Sequence, residues 1–193
     1  MNRDERIVLL DASVVITLAE IDSLDLLAVV RGGLVVPEAV RREISNEPAK
    51  SSLDARVADG SVGSSNILGW AQEAGRRELF ADSAVRLGNE PDAVTAVVSN
   101  VPMIVDGDVA LLTGARLADE CVVITDDKPL RRTCKSTSIP ISGTIGVLVR
   151  AVETGDIDPD TAKEKLYAMD EVSARLSASL VKRAAQLIDD AAD

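Results

Sequence analysis

Apolar and polar positions follow two rhythms along this chain. Residues 7–10 form a short unbroken apolar run closed by Asp11, and residues 14–30 then carry apolar side chains at helical intervals, which predicts strand, turn and helix. Gly32 and Gly33 end that helix, residues 34–36 supply a second strand, and Pro37 opens a helix that runs through Ile44. A connection of this length joins parallel strands rather than a hairpin. Residues 45–88 read as a helical insertion on one face, with helices at 53–58 and 67–79 around a glycine- and serine-rich cluster at 60–65. A short helix starting near Asp92, a helix over 108–119 and the β-branched run 121–125, a buried parallel strand in character, come next. A helix around Leu130, a strand at 139–141 and a helix over 144–153 complete the alternation. The pattern predicts an α/β fold, a small Rossmann-like parallel sheet flanked by helices.

Beyond it, residues 156–193 hold no strand signal. Asp158 or Asp160 caps a helix carrying Leu166, Met169 and Val172, and Leu176, Leu180, Leu187 and Ile188 form the stripe of another. The expected organisation is one domain over 1–155 and a helical extension over 156–193 that packs on the domain or mediates association.

Composition narrows the chemistry. The 193 residues include no histidine, which excludes Ser-His-Asp and Cys-His catalysis and every metal site needing imidazole. Cys121 and Cys134 make neither a disulfide framework nor a zinc site and fit a reducing cytoplasm. No apolar stretch reaches membrane-spanning length, and the first residues lack the apolar core of a signal peptide. Carboxylate is plentiful: 32 acids against 21 cationic residues give a net charge of -11. Such a surface repels nucleic acid at long range unless a local basic patch or bound cations intervene. Fifteen arginines against six lysines, with this acidity, suggest adaptation to high salt, where the repulsion is screened.

Some of the acids converge. Open α/β sheets bind ligands at the carboxyl ends of their strands. Asp11 ends the first strand, Asp126 and Asp127 end the strand at 121–125, and Glu43 lies near the start of the helix after the second strand. A helix from Asp108 descends about 17 Å and the strand to Asp126 climbs back about as far, which returns Asp108 to the same rim. Asp108 ranks first for the third acid and Asp106 is an accessory on the same turn. Asp92 with Glu90 is the competitor. Each acid alone could cap a helix or start a turn, but four like charges at one edge repel unless protonated or bridged by a cation. Oxygen-only ligation suits Mg²⁺ or Mn²⁺. Beside the aspartate pair, Lys128, Arg131, Arg132 and Lys135 form a candidate phosphate-positioning patch.

Four segments carry a family resemblance: residues 7–13 (IVLLDAS), 35–44 (VVPEAVRREI), 108–115 (DVALLTGA) and 123–127 (VITDD). Together they resemble the acidic motifs of PIN domains. Arg131 and residues 141–148 (ISGTIGVL) resemble the variant among proteins similar to VapC toxins. The resemblance implies a metal-dependent endoribonuclease, often the toxin of a toxin-antitoxin pair and often a homodimer. It implies Asp11, Glu43, Asp108 and Asp126 as the catalytic quartet. Asp11, Asp108 and Asp126 would be metal ligands with Asp106 and Asp127 beside them, and Ser13 and Thr125 hydroxyls near a metal-bound water. RNA is the expected substrate and an antitoxin protein the expected partner. The rival expectation is a catalytically silent PIN-like module acting through protein or RNA contacts. Nucleotide-binding loops of the GxxxxGK[ST] and GxGxxG types are absent from the sequence.

Overall fold

The computed structural model describes residues 6–76, 78–88, 106–174 and 176–192. At its centre is an all-parallel sheet of five strands in the order β3-β2-β1-β4-β5: β1 (Ile7–Leu10), β2 (Gly33–Pro37), β3 (Gly63–Ser65), β4 (Cys121–Ile124) and β5 (Ile141–Ser142). The helices are α1 (Ala12–Glu20), α2 (Glu38–Glu43), α3 (Ala49–Ala58), α4 (Ile67–Glu73), α5 (Glu78–Arg86), α6 (Gly107–Leu117), α7 (Lys128–Ser136), α8 (Thr144–Glu153), α9 (Pro159–Met169) and α10 (Ala178–Asp190). The α/β expectation is met. The most apolar strands take the central places, with Val8, Leu9, Leu10 and Val123 wholly removed from solvent, as strands covered on both faces require.

The chain leaves β1 toward β2 and leaves β4 toward β5, in opposite directions. The carboxyl ends of the neighbours β1 and β4 therefore frame the crevice at a topological switch point. Leu10 pairs with Ile124, and the Asp11 amide donates to the Ile124 carbonyl at 3.0 Å, so Asp11 and Thr125 emerge side by side.

The elements differ from expectation in four places. The helix expected over 14–30 stops at Glu20, because Asp22 takes a positive φ of 48° and the Ser23 hydroxyl folds back to the Ile21 carbonyl; a 3-10 turn (Leu24–Val29) follows. Pro37 ends β2 instead of opening a helix. The 60–65 cluster is not a linker within an insertion, since Gly63–Ser65 forms the edge strand β3. The helix expected over 67–79 divides into α4 and α5 at Gly75. The helix expected near Asp92, and Asp92 and Glu90 themselves, lie outside the described residues.

The Asp158 side chain caps α9 by accepting from the Thr161 amide at 2.9 Å. Leu166 and Met169 of α9 and Ala184 and Ile188 of α10 enter the same apolar cluster as Val8 and Leu9. Among the described residues no helix is long and apolar enough to cross a membrane.

Candidate metal centre

Asp11 is the buried anchor of the carboxyl rim, 5% exposed. Its Oδ2 accepts the Ser13 hydroxyl at 2.5 Å and the Thr125 hydroxyl at 2.6 Å. Each hydroxyl in turn accepts a backbone amide from the segment after β4: Ser13 from Asp126 at 3.1 Å, Thr125 from Asp127 at 3.0 Å. The two strand ends are thus laced together around one carboxylate. Ser13 and Thr125, expected near a metal-bound water, orient Asp11. Burial pushes the Asp11 carboxyl above its ordinary value; the two hydroxyls and the Ala12 amide oppose that shift, and Asp127 adds to it.

Two further acids arrive with α6. Asp106 is its N-cap and accepts from the Asp108 amide at 2.9 Å, while Glu43, at the end of α2, accepts from the Gly107 amide at 2.9 Å. Glu43 thus satisfies one of the free amides of a helix 64 residues further along the chain. Gly107 permits this approach, because a Cβ there would lie 2.6 Å from Glu43 Oε1. The Glu43 carboxyl is raised, first by burial and then by Asp106 and Asp11, against the lowering influence of the Gly107 amide. Gly107→Ala moves the flexible end of Glu43 rather than the backbone. The expected result is a thermal midpoint within about 2 °C of the parent and a Mn²⁺ affinity about tenfold weaker, read by titration calorimetry.

Asp108 is the focus of the cluster. Burial first, then Asp11, Asp106, Asp127 and Glu43, push its carboxyl up to about 7. Among the described residues no group donates a hydrogen bond to that carboxylate.

Asp126 and Asp127 are adjacent, but their carboxylates have different partners. Asp127 belongs to the rim: it acts on Asp11 and Asp108, and it caps α7 by accepting from the Leu130 amide at 2.7 Å. Asp126, expected in the quartet, accepts the Thr144 amide at 3.0 Å and the Thr144 hydroxyl at 2.6 Å. It caps α8. The acids that act most on Asp108 are Asp11, Asp106, Asp127 and Glu43.

The basic patch also divides. Arg131 points inward, and its Nη1 donates to the Thr125 and Ser142 carbonyls, each at 2.7 Å, clamping the ends of β4 and β5. Arg131, expected to position phosphate, thus holds a clamp through Nη1, beside the buried Leu130 and Cys134 of the same helix. Arg131→Met leaves both carbonyls without their charged donor. The expected cost is about 3 kcal/mol, seen as a lower denaturant midpoint. Lys128, Arg132 and Lys135 stand exposed on one face of α7, at spacings of four and three residues, without ion pairs among the described residues. On the other flank of the rim a cleft of about 430 Å³ holds Arg41, Arg42 and Lys50 with Glu38, Asp54 and Ser64; Arg41 is tied to Asp54 at 2.7 Å.

Among the described residues no three acids enclose a cage that could hold a metal ion. The donor chemistry nevertheless suits a hard divalent cation. The donors are all carboxylate oxygens, mutually repelling, and one lacks a described hydrogen-bond donor. Mg²⁺ in particular binds through one or two carboxylates and keeps several waters, so a closed protein cage is not needed.

Comparison with known proteins gives one positive result: the family model DUF3368, a PIN domain, matches residues 75–190. The chain belongs to the PIN-domain family. The match takes in Asp106, Asp108, Asp126 and Asp127 and continues through α9 to the end of α10, so it includes the C-terminal helices. It sets this PIN domain within a nuclease superfamily. No curated protein and no solved structure matches the chain.

Proposed function

We propose that this PIN domain is a Mg²⁺- or Mn²⁺-dependent endoribonuclease that hydrolyses RNA phosphodiester bonds. The observation that carries the reading is the gathering of Asp11, Glu43, Asp108 and Asp127, from four separate segments, at the switch point of the sheet. Asp11, Asp108 and Asp127 are the proposed metal ligands, with Asp106 beside them. A divalent cation supplies Lewis acidity there, lowering the pKa of water and offsetting charge that gathers on the phosphate oxygens. Ser13 and Thr125 hold the Asp11 carboxylate in one orientation. Glu43, fixed by the Gly107 amide, orients the attacking water. Lys128 and Arg132 position the phosphate backbone on one flank of the rim, with Arg42 on the other. Asp126 acts as a positioning residue, holding the start of α8 against the end of β4.

The test is cleavage of a labelled RNA by the purified chain. Cleavage should require millimolar Mg²⁺ or Mn²⁺, stop on chelation and return when metal is restored. Metal-independent cleavage, or none with either ion, overturns the proposal. The silent binding module instead predicts a thermal midpoint indifferent to Mn²⁺.

The likeness of the four motifs to those of VapC-like toxins supports a narrower proposal. The chain acts as a toxin in the cytoplasm, as a homodimer restrained by an antitoxin protein. Expression of the wild type should then arrest growth, and expression of Asp11→Asn should not.

A further inference from the structure

From residue 128 through residue 152 the chain contains no acid, the longest acid-free run in a sequence that holds 32 of them. The run begins at the metal centre. Asp127 is both a member of the acid rim and the N-cap of α7, so α7 starts at the site and carries the residues that follow away from it. The cations of α7 divide by direction. Arg131 is turned onto the Thr125 and Ser142 carbonyls, whereas Lys128, Arg132 and Lys135 are exposed. Spacings of four and three residues place these three on one stripe, which runs along about 10 Å of helix axis at about 1.5 Å per residue. None of the three has an ion pair among the described residues. Lys128 also stands at the first helical position, where a cation opposes the helix dipole, so its charge does not serve the helix.

Three unpaired cations in line, on the acid-free flank of a chain of net charge -11, suit a ligand with regularly repeated negative charge. Phosphates of a stacked strand follow one another at about 3.4 Å along its axis, so the stripe is long enough for about three of them. We infer that an RNA strand entering the acid rim continues along α7, with its phosphates on Lys128, Arg132 and Lys135. This rests on the proposed ribonuclease reading and extends it. The stripe selects the flank that carries the strand, makes Lys135 a substrate-binding residue, and calls for a substrate with nucleotides beyond the bond that is cut. Contacts of this kind fix the register of the strand without reading its bases.

Fluorescence anisotropy tests it with the full chain and a labelled oligoadenylate of about 12 nucleotides. A chelator is present, so binding is read without cleavage. The affinity is followed from low salt to about 0.2 M KCl, and the slope of log affinity against log salt reports the phosphates neutralised. Lys128→Gln, Arg132→Gln and Lys135→Gln should each reduce the magnitude of that slope by about 0.7, and the triple variant by about 2. Lys182→Gln makes the same charge change at an exposed position of α10 and should keep the parent's slope. The stripe residues are exposed, so the variants should melt with the parent, and Lys128→Gln, relieved of its conflict with the dipole, at or above it. A triple variant that keeps the parent's slope overturns the inference, as does a loss of slope in Lys182→Gln equal to that in Lys135→Gln. Cleavage with Mn²⁺ is scored separately. A parent that cleaves while the triple variant keeps its slope loses the stripe alone, whereas a parent that binds through the stripe and cleaves with neither ion loses the ribonuclease reading and keeps the stripe.

Discussion

If the chain is the proposed endoribonuclease, Asp127→Asn should lower kcat for RNA cleavage by about a thousandfold, while Asp126→Asn should leave it within about tenfold. The two substitutions are chemically identical and one residue apart, so the contrast isolates where each carboxylate points. Asp127 acts on both Asp11 and Asp108. Removing its charge takes away a proposed ligand, and about 4 kcal/mol of transition-state stabilisation corresponds to a thousandfold in rate. The fold survives, because asparagine is as good an N-cap as aspartate and can still accept from the Leu130 amide. Asp126 faces Thr144, and Asp126→Asn keeps an oxygen for the Thr144 amide, so the expected loss is about 1 kcal/mol of stability. Single-turnover kinetics with denaturant melts on both variants checks this. The reverse pattern, with Asp126→Asn inactive and Asp127→Asn active, returns Asp126 to the quartet.

Asp108→Asn should stabilise the metal-free protein at pH 8 and, with Asp108 the proposed ligand, remove its stabilisation by Mn²⁺. The sign follows from the raised carboxyl. The folded chain holds the Asp108 proton up to about 7, whereas the unfolded chain releases it near the ordinary 3.8. Between these values the folded state binds more protons, so stability falls as pH rises, and the penalty is complete above pH 7. Discounted for the solvent-accessible part of the group, it amounts to about 2 kcal/mol. Asparagine carries no such penalty, so the metal-free variant should melt about 5 °C above the parent at pH 8. The two should converge near pH 4. Mn²⁺ reverses the order: at a hundredfold excess over its dissociation constant it stabilises the parent by about 2.7 kcal/mol and the variant little. Calorimetric melts at both pH values, with and without Mn²⁺, give all four numbers. A variant that still gains several degrees from Mn²⁺ excludes Asp108 as a ligand.

Legibility in the sequence followed the physical strength of each signal. The strands β1 and β4 announce themselves because both faces are buried and nearly every residue is apolar. Asp11 is legible from the same pattern, as a polar residue where a strand ends, whereas Glu43, expected near the start of its helix, is the last residue of the short α2. The edge strand β3 is not: Gly63, Ser64 and Ser65 carry no apolar side chain, and its pairing with Val35–Pro37 is made by backbone alone. The break after Glu20 hides for a related reason, since Leu24, Leu26 and Leu27 continue the apolar spacing while Asp22 turns the backbone. Within the site, residue types indicated a carboxylate cluster but not the directions of its members. Neither the commitment of Asp126 to Thr144 nor that of Arg131 to two carbonyls can be read before the end of β5 is in place.

The C-terminal helices give the protein an order of assembly. Ala184 and Ile188 lie wholly buried in the cluster that contains Val8 and Leu9, so the first strand and the last helix close one core. A chain emerging from the ribosome can form β1, β2 and the start of the acid rim early, but it carries an open apolar flank until α10 has been made. Completion of this core therefore waits until α10 has been made. On the proposed function, cleavage should appear only once α10 has joined that core.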